Sequence, residues 1–135
     1  MSQEIPARGY LLDTQAALFS MAKSRSLSTA AKAAIASGRN SLSVVSYWEV
    51  MIKTMKGKLD VGDPRIWWQD ALVHLSATVL LLKPDHVAAI RRLPLIHKDP
   101  VDRALLAQAM VEGLTLVSSD AEIARYASKS LRIVG

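Results

Sequence analysis

Short apolar runs alternate with helix-length segments along this chain, and that alternation limits the possible folds more than any other feature. Gly9-Tyr10-Leu11-Leu12 stops abruptly at Asp13, as a buried parallel strand does. Residues 42–45, 78–82, 114–117 and 131–134 are further strand candidates, short and rich in apolar or β-branched side chains. Helical signals fill the intervals. Ser28 offers an N-cap for the alanine-rich stretch 29–37, and Gly38 stands where that helix ends. Asp99-Pro100 is a strong start signal for a helix that runs to Glu112 and is closed by Gly113. Further helices are expected over 14–23, 47–56, 65–75, 85–93 and 121–128. Helices between successive strands imply crossovers. The prediction is one α/β domain over residues 1–135, with a mostly parallel sheet of about five strands covered by helices on both faces.

Composition narrows the function classes. Half of the 135 residues are hydrophobic, which excludes a disordered chain. No apolar run approaches the roughly 20 residues that cross a bilayer. The leading Met1-Ser2-Gln3-Glu4-Ile5-Pro6 lacks the basic flank and apolar stretch of a secretory leader. The chain has no cysteine, so it has neither disulfides nor thiolate metal sites, which suits a cytoplasmic protein. Any metal must then be held by oxygen or imidazole. A net charge of +5 favours a polyanionic partner, although solubility alone also accounts for it.

Open parallel sheets bind ligands beyond the carboxyl ends of their strands, and four acids fall at such positions. Asp13 follows the first strand, and Glu49 lies in the first turn of the helix after the second. Asp120 follows the fourth strand by two serines, and Asp102 lies in the first turn of the helix opened by Asp99. Each has a bland explanation. Ser46-Tyr47-Trp48-Glu49 fits a capping box, Asp102 complements a helix dipole, and Asp120 can cap the last helix. Caps, however, do not require every helix start to face one pocket. Two like charges about 4 Å apart repel by roughly 4 kcal/mol near a protein surface, so a cluster takes up protons or binds cations. Hard oxygen donors suit Mg²⁺ or Mn²⁺, which can activate water and stabilise charge on a phosphodiester. Acids, a cation and basic surroundings point to hydrolysis of nucleic acid.

At these residues the sequence strongly resembles the PIN-domain nucleases, in particular the VapC-like toxins of type II toxin–antitoxin systems. The matching segments begin with Tyr10-Leu11-Leu12-Asp13-Thr14 and Ser46-Tyr47-Trp48-Glu49-Val50, with Ile52-Lys53 and Gly57-Lys58-Leu59. Leu93-Pro94-Leu95-Ile96-His97-Lys98-Asp99-Pro100-Val101-Asp102-Arg103 follows, then Leu106-Ala107-Gln108-Ala109 and Leu116-Val117-Ser118-Ser119-Asp120. The resemblance implies a PIN-like three-layer α/β/α sandwich and a Mg²⁺- or Mn²⁺-dependent endoribonuclease that cuts RNA. It makes Asp13, Glu49, Asp102 and Asp120 the metal-binding and catalytic acids. It implies a cognate antitoxin as inhibitor and a homodimer as assembly. One departure is Gln15, where relatives often carry histidine.

Secondary candidates surround the acids. Asp99 either orients its helix or touches metal. Thr14, Ser118 and Ser119 are placed to hydrogen-bond the acids or a substrate phosphate. Arg103 can pair with an acid, reach a phosphate or lie on a solvated face. Lys53, Lys56 and Lys58 can line an RNA path or be simply solvated. His97 is either a proton-transfer group or a loop histidine with a structural hydrogen bond. Of Trp67-Trp68, at most one is expected to be central to the core, because helical neighbours point about 100° apart. The other is free to anchor a partner helix or a second subunit. Met21, Met51, Met55 and Met110 are expected to pack the core.

Besides a PIN-like domain that only binds a partner, against which the four acids argue, two alternatives stand beside the toxin reading. One is a PIN nuclease of RNA processing or decay with no antitoxin. The other is a Mg²⁺-dependent phospho-accepting signalling domain, which wants an acidic pair after the first strand and an acceptor aspartate after the third. Here Asp13 stands alone, and Lys83-Pro84 follows the third strand.

Overall fold

A computed structural model describes residues 9–135, so the leading segment read for targeting signals lies outside the described residues. The strands are β1 (Tyr10–Leu12), β2 (Asn40–Ser43), β3 (Ala77–Leu80), β4 (Thr115–Val117) and β5 (Ile133–Val134). The helices are α1 (Thr14–Met21), α2 (Thr29–Ala36), α3 (Val44–Met55), α4 (Pro64–His74), α5 (Pro84–Ala89), α6 (Pro100–Glu112) and α7 (Ala121–Ala124). The strands form one sheet in the order β3-β2-β1-β4-β5, and each pairing is parallel.

Successive strand residues face opposite sides of a sheet, and this sheet is buried on both. Leu11 and Leu116 join a core with Leu105 and Leu106 of α6 and Ile123 of α7. Leu12 and Val117 join a second core with Ala16 and Ala17 of α1, and Trp67, Trp68 and Ala71 of α4. The result is a three-layer α/β/α sandwich. Among the described residues, no helix is long and apolar enough to cross a membrane.

The strand order reverses at β1. From β1 the chain builds outward through β2 to β3, then returns across the sheet to β4 and β5. Such a reversal leaves a crevice beyond the carboxyl ends of the two strands that flank it. Here those ends are Leu12 of β1 and Val117 of β4, which are register partners.

Capping chemistry sets the helix starts. Asp99 caps α6 by accepting from the N–H groups of Val101 at 2.9 Å and Asp102 at 3.1 Å. Gly113 ends α6 with φ 69°, in the left-handed region that glycine enters without a Cβ penalty.

Other expectations are corrected. The second strand is Asn40–Ser43, because those four residues pair with β3, and α3 starts at Val44. Its N-cap is Ser43, whose hydroxyl accepts from the Val45 N–H at 3.0 Å, so Ser46 and Glu49 form no capping box. Trp67 and Trp68 are both buried, at 8% and 5% exposure. Both join the second core, and Tyr47 of α3 stacks on Trp68 with centroids 4.7 Å apart. Neither ring is left to anchor a partner. Met21 and Met110 pack against the cores as expected, but Met55 is 79% exposed because it lies on the outer face of α3. The last helix stops at Ala124, four residues short of its expected end at 128.

Burial predicts where substitution is costly. Leu106→Ala should lower the free energy of unfolding by about 2–5 kcal/mol, as fully buried leucines do. Leu95→Ala, at a 93% exposed position, should change it by less than about 0.5 kcal/mol. Urea titration of both variants measures the difference, and equal effects would contradict this assignment of the core.

Candidate functional site

The first carboxylate is fixed from both sides. Asp13 caps α1 by accepting from the Ala16 N–H at 2.7 Å, and its own N–H donates to the Val117 carbonyl at 3.0 Å. Asp102 rides in the first turn of α6, behind the Asp99 cap. Asp120 caps α7 through the Glu122 N–H at 2.8 Å, and its own N–H donates to the Ser118 hydroxyl at 3.2 Å. Glu49 projects from the second turn of α3, not the first, with Lys53 Nζ 3.2 Å from its carboxylate.

These elements bring the predicted acids together. A cleft of about 170 Å³ at the crevice is lined by Asp13, Thr14, Gln15, Glu49, Lys53, Asp99, Asp102 and Asp120. His97 reaches the same place from the loop before α6, with Nε2 2.8 Å from Asp102 Oδ2. Ligand atoms of His97, Asp102 and Asp120, one from each, all lie within 4.8 Å of one another.

The secondary candidates divide. Thr14 is buried and donates to the Ser46 hydroxyl at 2.9 Å, which ties α1 to α3. Ser118 is buried and hydrogen-bonds Asp13 as well as the Asp120 N–H, linking the two acids. Ser119 is exposed and lies off the cleft lining, as do Lys56 and Lys58. Arg103 turns to the backbone of the preceding loop. Its guanidinium donates to the carbonyls of Pro94 at 2.9 Å and Leu93 at 3.4 Å and to the Tyr126 hydroxyl at 3.2 Å, so it staples the loop that carries His97.

Tyr126 is a position that sequence reasoning passed over, and Ser46 enters that reasoning as a helix cap and a motif residue, not as the partner of Thr14. Tyr126 is buried, and its hydroxyl accepts from the His97 N–H at 2.7 Å. Nothing local marks these roles, because each residue acts on a segment more than two dozen residues away. The Glu49–Lys53 pair, by contrast, has the i,i+4 spacing that marks a helix-face ion pair.

Electrostatics follow from crowding and burial. Burial pushes the Asp13 carboxyl up from 3.8 to about 6, against hydrogen bonds from Ser118 and Ala16 that favour the charged form; Asp102 and Asp120 add to the rise. Burial also raises Asp102, while the His97 hydrogen bond opposes it. His97 is raised in turn, chiefly by its hydrogen bond to Asp102. Carboxylates close together and partly desolvated are a donor set that a divalent cation relieves. Oxygen donors with one imidazole nearby fit Mg²⁺ or Mn²⁺.

An open parallel sheet with carboxylates gathered at its reversal point defines an α/β protein whose site is built to hold positive charge. The model of the PIN domain matches residues 10–129, nearly the whole chain, and the protein belongs to the PIN-domain family. No curated protein matches it by sequence. Among solved structures, it is similar to a chain of VapBC2 from Rickettsia felis bound to a promoter DNA fragment, with TM-score 0.62 and 16% identity over 93% of this chain and 96% of that one. It is similar to a chain of DNA-bound VapBC from Salmonella typhimurium, with TM-score 0.65 and 16% identity over 94% and 97%. A chain of the toxin–antitoxin system VapBC-5 from Mycobacterium tuberculosis gives TM-score 0.62 and 20% identity over 96% and 98%. At these identities the likeness is one of fold.

The raised Asp13 yields a signed pH prediction. Because the folded state favours neutral Asp13, wild-type stability should fall as pH rises from about 4 through about 6. A displacement from 3.8 to about 6 corresponds to roughly 3 kcal/mol at most. Asp13→Asn should therefore stabilise the metal-free protein by up to that order at pH 7.5, and by little at pH 4. Chemical denaturation in EDTA at both values measures it, and a difference independent of pH would contradict the burial argument.

Proposed function

We propose that this protein is a metal-dependent endoribonuclease that hydrolyses RNA phosphodiester bonds and acts as the toxin of a toxin–antitoxin pair. The observation that carries the reading is the meeting of Asp13, Glu49, Asp102 and Asp120 in one cleft of a PIN domain. PIN domains are nuclease domains, and these acids occupy the positions that the family resemblance assigns to metal binding and catalysis. Mg²⁺ or Mn²⁺ is the proposed cofactor. When bound, it supplies a Lewis acid that lowers the pKa of water and offsets charge on the phosphodiester.

The chain's own residues prepare that chemistry. Asp13 is fixed by the Val117 carbonyl and the Ala16 N–H, so its carboxylate cannot swing away from the cleft. Lys53 holds Glu49 and leaves positive charge at the rim, where an RNA phosphate would approach. Asp99 is spent on the N–H groups of α6, which makes it an orienting residue for Asp102 more than a ligand. The net charge of +5 outweighs the acids and draws a polyanion toward them.

The antitoxin half of the proposal draws support from the similar solved structures, which are toxin–antitoxin assemblies. We assign the chain a cognate antitoxin as inhibitor, a homodimeric assembly and a cytoplasmic setting.

Purified protein should cut single-stranded RNA with Mg²⁺ or Mn²⁺ and stop in EDTA. Asp102→Asn should slow cleavage by more than about 100-fold, beyond the 10–100-fold typical of a supporting residue. RNA left intact with both ions, or equal rates for variant and wild type, would overturn the nuclease reading.

A further inference from the structure

We propose that His97 is itself a ligand of the metal in the acidic cleft, so that an imidazole nitrogen joins the carboxylates and shifts the preference from Mg²⁺ toward Mn²⁺. The proposal rests on the reading of that cleft as a metal site and adds to it one ligand and one selectivity.

The spacing of the donor atoms matches that of ligands on one ion. His97 Nε2 lies 2.8 Å from Asp102 Oδ2, and His97, Asp102 and Asp120 each offer a donor atom within 4.8 Å of the others. Adjacent ligands on an octahedral ion with bonds near 2.1 Å stand about 3 Å apart. The histidine and aspartate are thus already at the separation that a shared ion imposes. A hydrogen bond now joins two atoms that would take adjacent corners around an ion.

Anchoring of the loop does not account for the contact. A loop histidine often hydrogen-bonds a carboxylate to anchor its loop, and here that purpose is served by other groups. The His97 N–H donates to the Tyr126 hydroxyl at 2.7 Å, and the His97 carbonyl accepts from that hydroxyl at 3.3 Å and from Arg103 at 3.4 Å. Arg103 also holds the carbonyl of Pro94 at 2.9 Å. With the backbone clamped on both sides, Nε2 can give up to solvent the proton it shares with Asp102 and bind the metal as a neutral imidazole, without releasing the loop.

Donor chemistry gives the selectivity. Mg²⁺ favours an all-oxygen shell, whereas an imidazole nitrogen favours first-row transition ions. Mn²⁺ accepts both donor types, so this mixed set suits it better than carboxylates alone would.

Pulsed EPR of the Mn²⁺-loaded full chain reads the ligand directly. Wild type should show imidazole-nitrogen modulation on the Mn²⁺ signal, and His97→Gln should abolish it. Calorimetric titration should show Mn²⁺ affinity falling by about 10-fold or more in His97→Gln, while Mg²⁺ affinity changes by less than about 3-fold. Bound Mn²⁺ without nitrogen modulation in wild type would overturn the proposal, and that spectrum decides the question even where a variant fails to fold. Modulation that persists in His97→Gln would overturn it too, since the nitrogen would come from His74 or His86. Equal losses for both ions would make His97 a supporting residue. Failure of wild type to bind either ion, or unchanged binding in Asp102→Asn, would instead remove the metal reading of the cleft itself.

Discussion

Repulsion among carboxylates held at one sheet edge is the constraint on which the rest of this molecule depends. Asp102 and Asp120 offer oxygens no more than 4.8 Å apart, and at the effective dielectric near a protein surface two such charges repel by about 3 kcal/mol or more. Asp13 is buried beside them. The fold tolerates this through its helix starts. Asp13 accepts from an N–H of α1, and Asp120 from one of α7. Asp102 lies in the first turn of α6. The positive ends of three helices thus face the crowded acids and offset part of the repulsion. Capping and site-building are one arrangement here. What the caps leave uncompensated is negative charge that the proposed cation would offset.

That arrangement needs a rigid frame. The reversal of strand order at β1 brings the ends of β1 and β4 side by side, and the Asp13 N–H bonds across to β4. Two cores press on the sheet from opposite faces, through Leu11 and Leu116 on one side and Leu12 and Val117 on the other. A residue that follows such a strand inherits its immobility. The loop before α6 is held by Tyr126 and Arg103, which fix the backbone that carries His97 to Asp102.

Much of this was legible in the sequence, and the failures have definite causes. Asp99-Pro100 and Gly113 bound α6 as read, because capping chemistry is local and each residue carries its own signal. The start of α3 was misread because Ser43 and Ser46 are both capable caps and Val44-Val45 has strand propensity. Pairing of β2 with β3 over Asn40–Ser43 decides the matter, and that information is not local. Arg103 illustrates the limit for the site. Its position beside Asp102 suggested a partner for acid or phosphate, yet its helix turns it toward backbone carbonyls of the preceding loop. The placement of Asp13 and Asp120 is readable from strand ends and that of Asp102 from its helix start; the clamp around His97 depends on contacts between distant segments.

The central claim is that these acids form one metal site, and an anomalous diffraction map from crystals soaked in Mn²⁺ tests it most directly. The account predicts density in the cleft bounded by Asp13, Glu49, Asp102 and Asp120, within bonding distance of their carboxylate oxygens. A cleft without density, or density only at acids elsewhere on the surface, would contradict it.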